Sequence, residues 1–99
     1  MPFKEPQLDS SAIPSLAPFV RMQTDRLTGE QILLGPEVAM NLTDSGVEIL
    51  KLCDGIRSTQ KIAEFLAREY DAPVEEILTD AQGFLDRLSN KGYVRWSKQ

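Results

Sequence analysis

The sequence predicts an α+β fold, a winged helix-turn-helix-like body in which a three-stranded antiparallel N-terminal sheet packs on three α-helices. Three observations carry this expectation. Apolar and polar residues alternate in short segments between Phe19 and Leu42, the period of a strand with one buried face. The period turns helical within Thr43-Asp44-Ser45, which offers N-caps, and Ser45 with Glu48 has the spacing of a capping box. Two further amphipathic stretches follow, parted from each other by Asp71-Ala72-Pro73. Sheet and helices meet between Leu33 and Gly55 with almost no linker, so one compact domain is expected over 19–96.

The first eighteen residues contain Pro2, Pro6, Pro14 and Pro18, which oppose continuous helix and central strand, and residues 1–18 read as a flexible Pro/Ser-rich arm. Phe19 to Thr24 is the first expected strand. Thr28-Gly29-Glu30 supplies a turn to a second at Gln31 to Leu34, and Gly35-Pro36 turns into a third at Glu37 to Leu42. Turns this short imply an antiparallel meander. In the third strand Val38, Met40 and Leu42 face one way, Glu37, Ala39 and Asn41 the other. The first helix should place Ile49, Leu52, Cys53 and Ile56 on one face and end at Asp54-Gly55. The second runs from Ser58 or Thr59 to about Tyr70, with Ile62, Phe65, Leu66 and Tyr70 as its apolar stripe. The third begins at Pro73, a favourable first helical residue, and ends near Asn90 before Gly92. Tyr93, Val94 and Trp96 suit a brief extended tail.

Composition restricts function. Among 99 residues, 41% are apolar and the net charge is -4, which disfavours nonspecific attraction to nucleic acid or anionic membrane. Histidine is absent, which removes His-based nucleophile systems and His-containing metal sites. The single cysteine, Cys53, permits no internal disulfide and reads as a small buried hydrophobe. No apolar run is long enough to span a membrane and no signal peptide is evident, so a cytoplasmic protein is expected. Glu75, Glu76 and Asp80 form an acidic cluster, best read as a solvated helix face whose first turn suits the helix dipole. No Gly-rich phosphate loop or metal spacing is present, and the chain reads as no enzyme on its own. A DNA-reading winged helix is disfavoured because Ala72 to Lys91 carries Glu75, Glu76, Asp80 and Asp86 against Arg87 and Lys91. A peptide-binding module fits better: the short third strand is a candidate edge, and the apolar stripe of the third helix is wider than one core contact needs.

The residues also match a family. Leu33-Leu34-x-Pro36-Glu37, Leu42 before a polar cap, Ile49-Leu50-x-Leu52, Asp54-Gly55, and Asp80 followed by Phe84-Leu85 and Leu88 resemble PqqD, a small peptide chaperone of pyrroloquinoline quinone (PQQ) biosynthesis. The resemblance covers roughly Phe19 to Trp96. It departs at Ile32 and Gly35, where aromatic residues are frequent, and at Val38, where glycine is frequent. The resemblance implies a non-catalytic domain that holds a precursor peptide (PqqA-like). The peptide is presented to a radical S-adenosylmethionine enzyme (PqqE-like), which cross-links a Glu and a Tyr side chain. Cluster and S-adenosylmethionine would belong to that enzyme, and the chain itself would carry no cofactor. It further implies that the peptide joins the edge of the third strand and lies against the third helix. Expected contacts are therefore Val38, Ala39, Met40 and Asn41 for backbone pairing, and Ile77, Ala81, Phe84 and Leu85 for the groove. Of the adjacent pair, Leu85 is expected to face the core and Phe84 the peptide. Alternatives are a recognition domain for another modified peptide and a winged-helix DNA-binding regulator. A monomer, or a weak or domain-swapped dimer, is compatible with a free edge strand.

Overall fold

Turn chemistry and alternation build the first sheet. The computed structural model describes residues 10–35 and 39–97. Within them, β2 (Arg21–Thr24), β3 (Gln31–Leu34) and β4 (Ala39–Asn41) form an antiparallel sheet ordered β2-β3-β4. Arg21 pairs with Leu34 and Thr24 with Gln31; Ile32 pairs with Asn41 and Leu34 with Ala39. Gly29 takes φ +78° in the β2–β3 turn, where its N–H donates to the Asp25 carbonyl at 2.7 Å. The helices are α1 (Asp44–Lys51), α2 (Thr59–Tyr70) and α3 (Val74–Asn90). Thr43 caps α1 by accepting the Gly46 N–H at 3.1 Å, and Ser58 caps α2 by accepting the Lys61 N–H at 3.2 Å. The expected Ser45–Glu48 box is not the cap, because the helix already begins at Asp44. Asp71 closes α2 in the left-handed conformation, and Pro73 is the N-cap of α3 rather than its first residue.

The expected arm is corrected from residue 10 onward; residues 1–9 lie outside the described residues. Ile13–Leu16 is a strand, β1, antiparallel to β5 (Val94–Ser97), with Ile13 opposite Ser97 and Leu16 opposite Val94. Thr59 and Gln60 at the start of α2 donate their backbone N–H groups to the carbonyls of Ala12 and Ser10. Ala12, Ile13 and Pro14 are buried. Pro14 fits because its carbonyl accepts from Gly55 N–H, at 3.3 Å, so its backbone points away from β5 and no bond between the strands needs a proline N–H. A tight turn then reverses the chain, with Val20 N–H bonded to the Ala17 carbonyl. Phe19 sits in it at φ +67° and 88% exposed, so it opens no strand as expected but lies in the turn before β2.

The core joins Leu33 of β3, Ile49 and Leu50 of α1, Ile62 and Leu66 of α2, and Ala81, Leu85 and Leu88 of α3. Two expected face assignments are corrected. Ile56 is 75% exposed because α1 stops at Lys51 and the Asp54 carboxylate folds the next turn, accepting the Ile56 and Arg57 N–H groups. Those bonds, from Arg57 first and then Ile56, hold the Asp54 carboxyl below its usual range. Phe65 and Tyr70 are exposed on α2, where Ala63 and Ala67 complete the buried stripe with Ile62 and Leu66. Small side chains let α2 and α3 approach closely there. Cys53 is buried, and its thiol donates to the Ile49 carbonyl at 3.3 Å. Burial, assisted by the nearby Asp54 charge, pushes that thiol up to about 12, so it is an inert core group.

Candidate functional site

The site begins at the free edge of β4. The Leu42 N–H donates to the Gln31 carbonyl at 3.0 Å, which makes Gln31 and Leu42 a hydrogen-bonded pair. In an antiparallel ladder such pairs alternate with unbonded ones. Leu33–Met40 is therefore bonded, while the N–H and C=O groups of Ala39 and Asn41 point outward from the sheet. Among the described residues no strand covers this edge. The side chains obey the same alternation: Met40 and Leu42 pack toward the core, and Ala39 and Asn41 are exposed. Met40 thus spends its backbone inside the sheet, which corrects its expected part in outward pairing. Val38 lies outside the described residues.

Two residues beyond β4 the chain enters α1, and beside that helix a cavity of about 640 Å³ opens between α1, α2 and α3. Its apolar wall comes from Gly46 and Ile49 of α1, Leu66 of α2, and Ile77 and Phe84 of α3. Its rim carries Thr43, Asp44, Glu48, Tyr70, Asp80 and Arg87. Successive α3 residues rotate by about 100°, so the helix presents two neighbouring stripes. Ala81, Leu85 and Leu88 point into the core, with Ala81 and Leu85 both 0% exposed. Ile77, Asp80, Phe84 and Arg87 turn toward the cavity. Of the four expected groove residues, Ile77 and Phe84 are brought to the cavity. Ala81 is corrected to the core, because the stripe that meets α2 cannot also line an opening. Leu85 is buried there too, as expected of that member of the Phe84–Leu85 pair, so it leaves the groove set.

Gly46 sets the width of this cavity. A Cβ there would lie 3.0 Å from the Phe84 ring tip and 3.3 Å from Thr43 Oγ1. The ring therefore packs against bare helix backbone. Sequence reasoning missed Gly46, Ile49, Leu66, Tyr70 and Arg87 as site residues. One signal was present: a glycine in the first turn of a helix is costly, which marks a close approach. The others come from elements whose mutual placement no local pattern reveals.

The polar rim is mostly acidic. Glu48, half-buried, lies 3.8 Å from the more exposed Lys51. Asp44, Glu48 and Asp80 stand against one base, Arg87. Among the described residues no group of three or more Cys, Asp or Glu side chains is arranged to hold a metal ion. The arrangement offers unpaired backbone groups on one side and an apolar hollow on the other, the two elements of strand-addition recognition.

Comparison with known proteins identifies the family and the fold. Residues 30–94 match the family model of coenzyme PQQ synthesis protein D (PqqD). A PqqA binding protein of Rhizobium meliloti (strain 1021) is 40% identical over 84 residues, spanning 85% of this chain and 86% of the relative. The solution structure of the PqqD truncation of Methylobacterium extorquens PqqCD is 32% identical and superposes with a TM-score of 0.79, covering 90% of this chain and 95% of that one. That protein is described as a functional, stand-alone recognition element for ribosomally synthesized and post-translationally modified peptides. The crystal structure of PqqD from Xanthomonas campestris is 34% identical with a TM-score of 0.54, over 86% of this chain and 94% of that one.

Proposed function

The chain belongs to the PqqD family, and from that premise we propose that it is a non-catalytic chaperone for a PqqA-like precursor peptide in PQQ biosynthesis. It holds the peptide and presents it to a PqqE-like radical S-adenosylmethionine enzyme, which supplies the redox chemistry. The observation that carries the reading is the open edge at Ala39 and Asn41, leading within two residues to the apolar cavity. Backbone bonds at the edge hold an extended peptide in register; the cavity, walled by Ile77 and Phe84, takes its side chains. The winged helix-turn-helix outline belongs to the same proposal, as does a cytoplasmic location; no described helix is long and apolar enough to cross a membrane. The recognition unit, expected over 19–96, extends in this reading back to the buried Ala12.

The test is a titration of the chain with PqqA of Rhizobium meliloti, followed by amide chemical shifts. Shifts are expected at Ala39, Asn41, Gly46, Ile77 and Phe84. No binding, or shifts confined to β1 and β5, would overturn the reading. Gly46→Ala supplies a second check. The added methyl pushes the Phe84 ring by a few tenths of an ångström, while alanine raises local helix propensity by roughly 1 kcal/mol. Thermal stability should change little, whereas peptide affinity measured by calorimetry should fall a few-fold.

A further inference from the structure

Two glycines line the cavity, Gly46 of α1 and Gly83 of α3, and the chain itself explains only one of them. At Gly46 a Cβ would press on Phe84 and Thr43, at 3.0 and 3.3 Å. Gly83 stands in the middle of α3, a helix of 17 residues, where glycine is less favourable than alanine because it has the most backbone freedom to lose. Its φ is not positive, so no turn or cap calls for it. Beyond its chain neighbours, a Cβ there would meet one atom within 4 Å: Arg87 Nη1, at 3.8 Å. That is an ordinary contact, and with the far end of an exposed, flexible arm. The free chain therefore has room for alanine at this position and would be more stable with it.

Resting on the peptide-binding reading above, we propose that Gly83 is a specificity-determining contact: bare α3 backbone on which one large apolar side chain of the peptide is seated. Gly83 lies one turn from Asp80 and Arg87, on the stripe of α3 that faces the opening. A missing methyl favours binding only where the ligand reaches the helix backbone itself. Small peptide side chains would stop short of it across a hollow of about 640 Å³, and a Cβ would then cost them nothing. A long or ringed side chain reaches Gly83 and gains dispersion contacts with the bare peptide units. The Arg87 stem can cover it while the charged head stays in water. Gly46 sets where the Phe84 ring rests; Gly83 sets how close the guest side chain comes to α3. The site thereby selects by size: an added methyl overpacks a large guest and leaves a small one undisturbed.

The experiment compares the whole chain as wild type, Gly83→Ala and Asn90→Ala, by thermal melts and by calorimetric titration with Rhizobium meliloti PqqA. Gly83→Ala should raise Tm by about 4–8 °C, the scale of one glycine relieved inside a helix in a domain of this size. It should also weaken PqqA binding by roughly five-fold or more, the scale of one methyl too many in a packed contact. Asn90→Ala, at the end of α3 and outside the cavity, should leave affinity unchanged. Each large apolar residue of PqqA is then replaced by alanine in turn. One of these peptides should bind wild type more weakly than PqqA does, yet bind Gly83→Ala and wild type equally well. Affinity unchanged by Gly83→Ala, or lowered equally for every peptide, overturns the contact and leaves the peptide reading standing. A lower Tm for Gly83→Ala also overturns it, because the glycine then serves the fold. Failure of PqqA to bind the wild-type chain overturns the peptide reading and the contact with it.

Discussion

Leu85→Ala is expected to lower stability by about 2–5 kcal/mol, the range for a leucine truncated inside a core that relaxes only partly. Leu85 is 0% exposed and joins α3 to the cluster built from Leu33, Ile49, Ile62 and Leu66. A chain of this size has a small margin, so such a loss should be plain in a urea or thermal melt. Its neighbour should behave in the opposite way. Phe84 is half-buried, with its ring tip against Gly46 and its face toward the cavity. Phe84→Ala should cost less stability than Leu85→Ala but weaken PqqA binding by roughly 2 kcal/mol, about thirty-fold, as loss of a central aromatic anchor does. Equal destabilisation by both variants, with affinity of the folded Phe84→Ala chain unchanged, would remove this face of α3 from the site.

A proline scan of β4 should show a period of two. Asn41→Pro removes an N–H that points out of the sheet, so the fold should persist while PqqA affinity drops roughly ten-fold, through a lost hydrogen bond and the bulk of the ring. Ala39→Pro should act in the same direction. Met40→Pro removes the N–H that bonds across to Leu33, and should lower stability before any peptide is added. Circular dichroism melts paired with calorimetry separate the two effects. If Ala39→Pro and Asn41→Pro both fold and bind as wild type does, the peptide does not pair with this edge.

These contrasts also divide what is local in this protein from what is not. The type and order of β2, β3, β4, α1, α2 and α3 follow from signals held within a few residues. Ser58 starts α2 and Asp71 ends it because a hydroxyl cap and a left-handed closure act on adjacent backbone. Gly92, at φ +87°, follows the end of α3 for the same reason. Family membership was legible too, because Leu33-Leu34, Asp54-Gly55 and the Phe84-Leu85 pair sit in unbroken register along the chain.

What only the tertiary structure decided depends on partners distant in sequence. Pro14 argues locally against a strand, yet β1 forms because β5, from the far end of the chain, pairs on one side while Gly55 donates to it from the other. Ile56 looks like a fourth member of the α1 face, but Asp54 turns the chain away first. On α3 both apolar stripes share one helical period, and periodicity alone cannot say which of them meets α2. Packing against Leu66 and Ile62 draws Ala81 and Leu85 inward and leaves Ile77 and Phe84 at the opening. The sequence by itself determined β2 to β4, the three helices and the kind of protein. The cavity arose only when three helices were set beside one another, because its walls are faces whose direction is chosen by long-range burial rather than by local period.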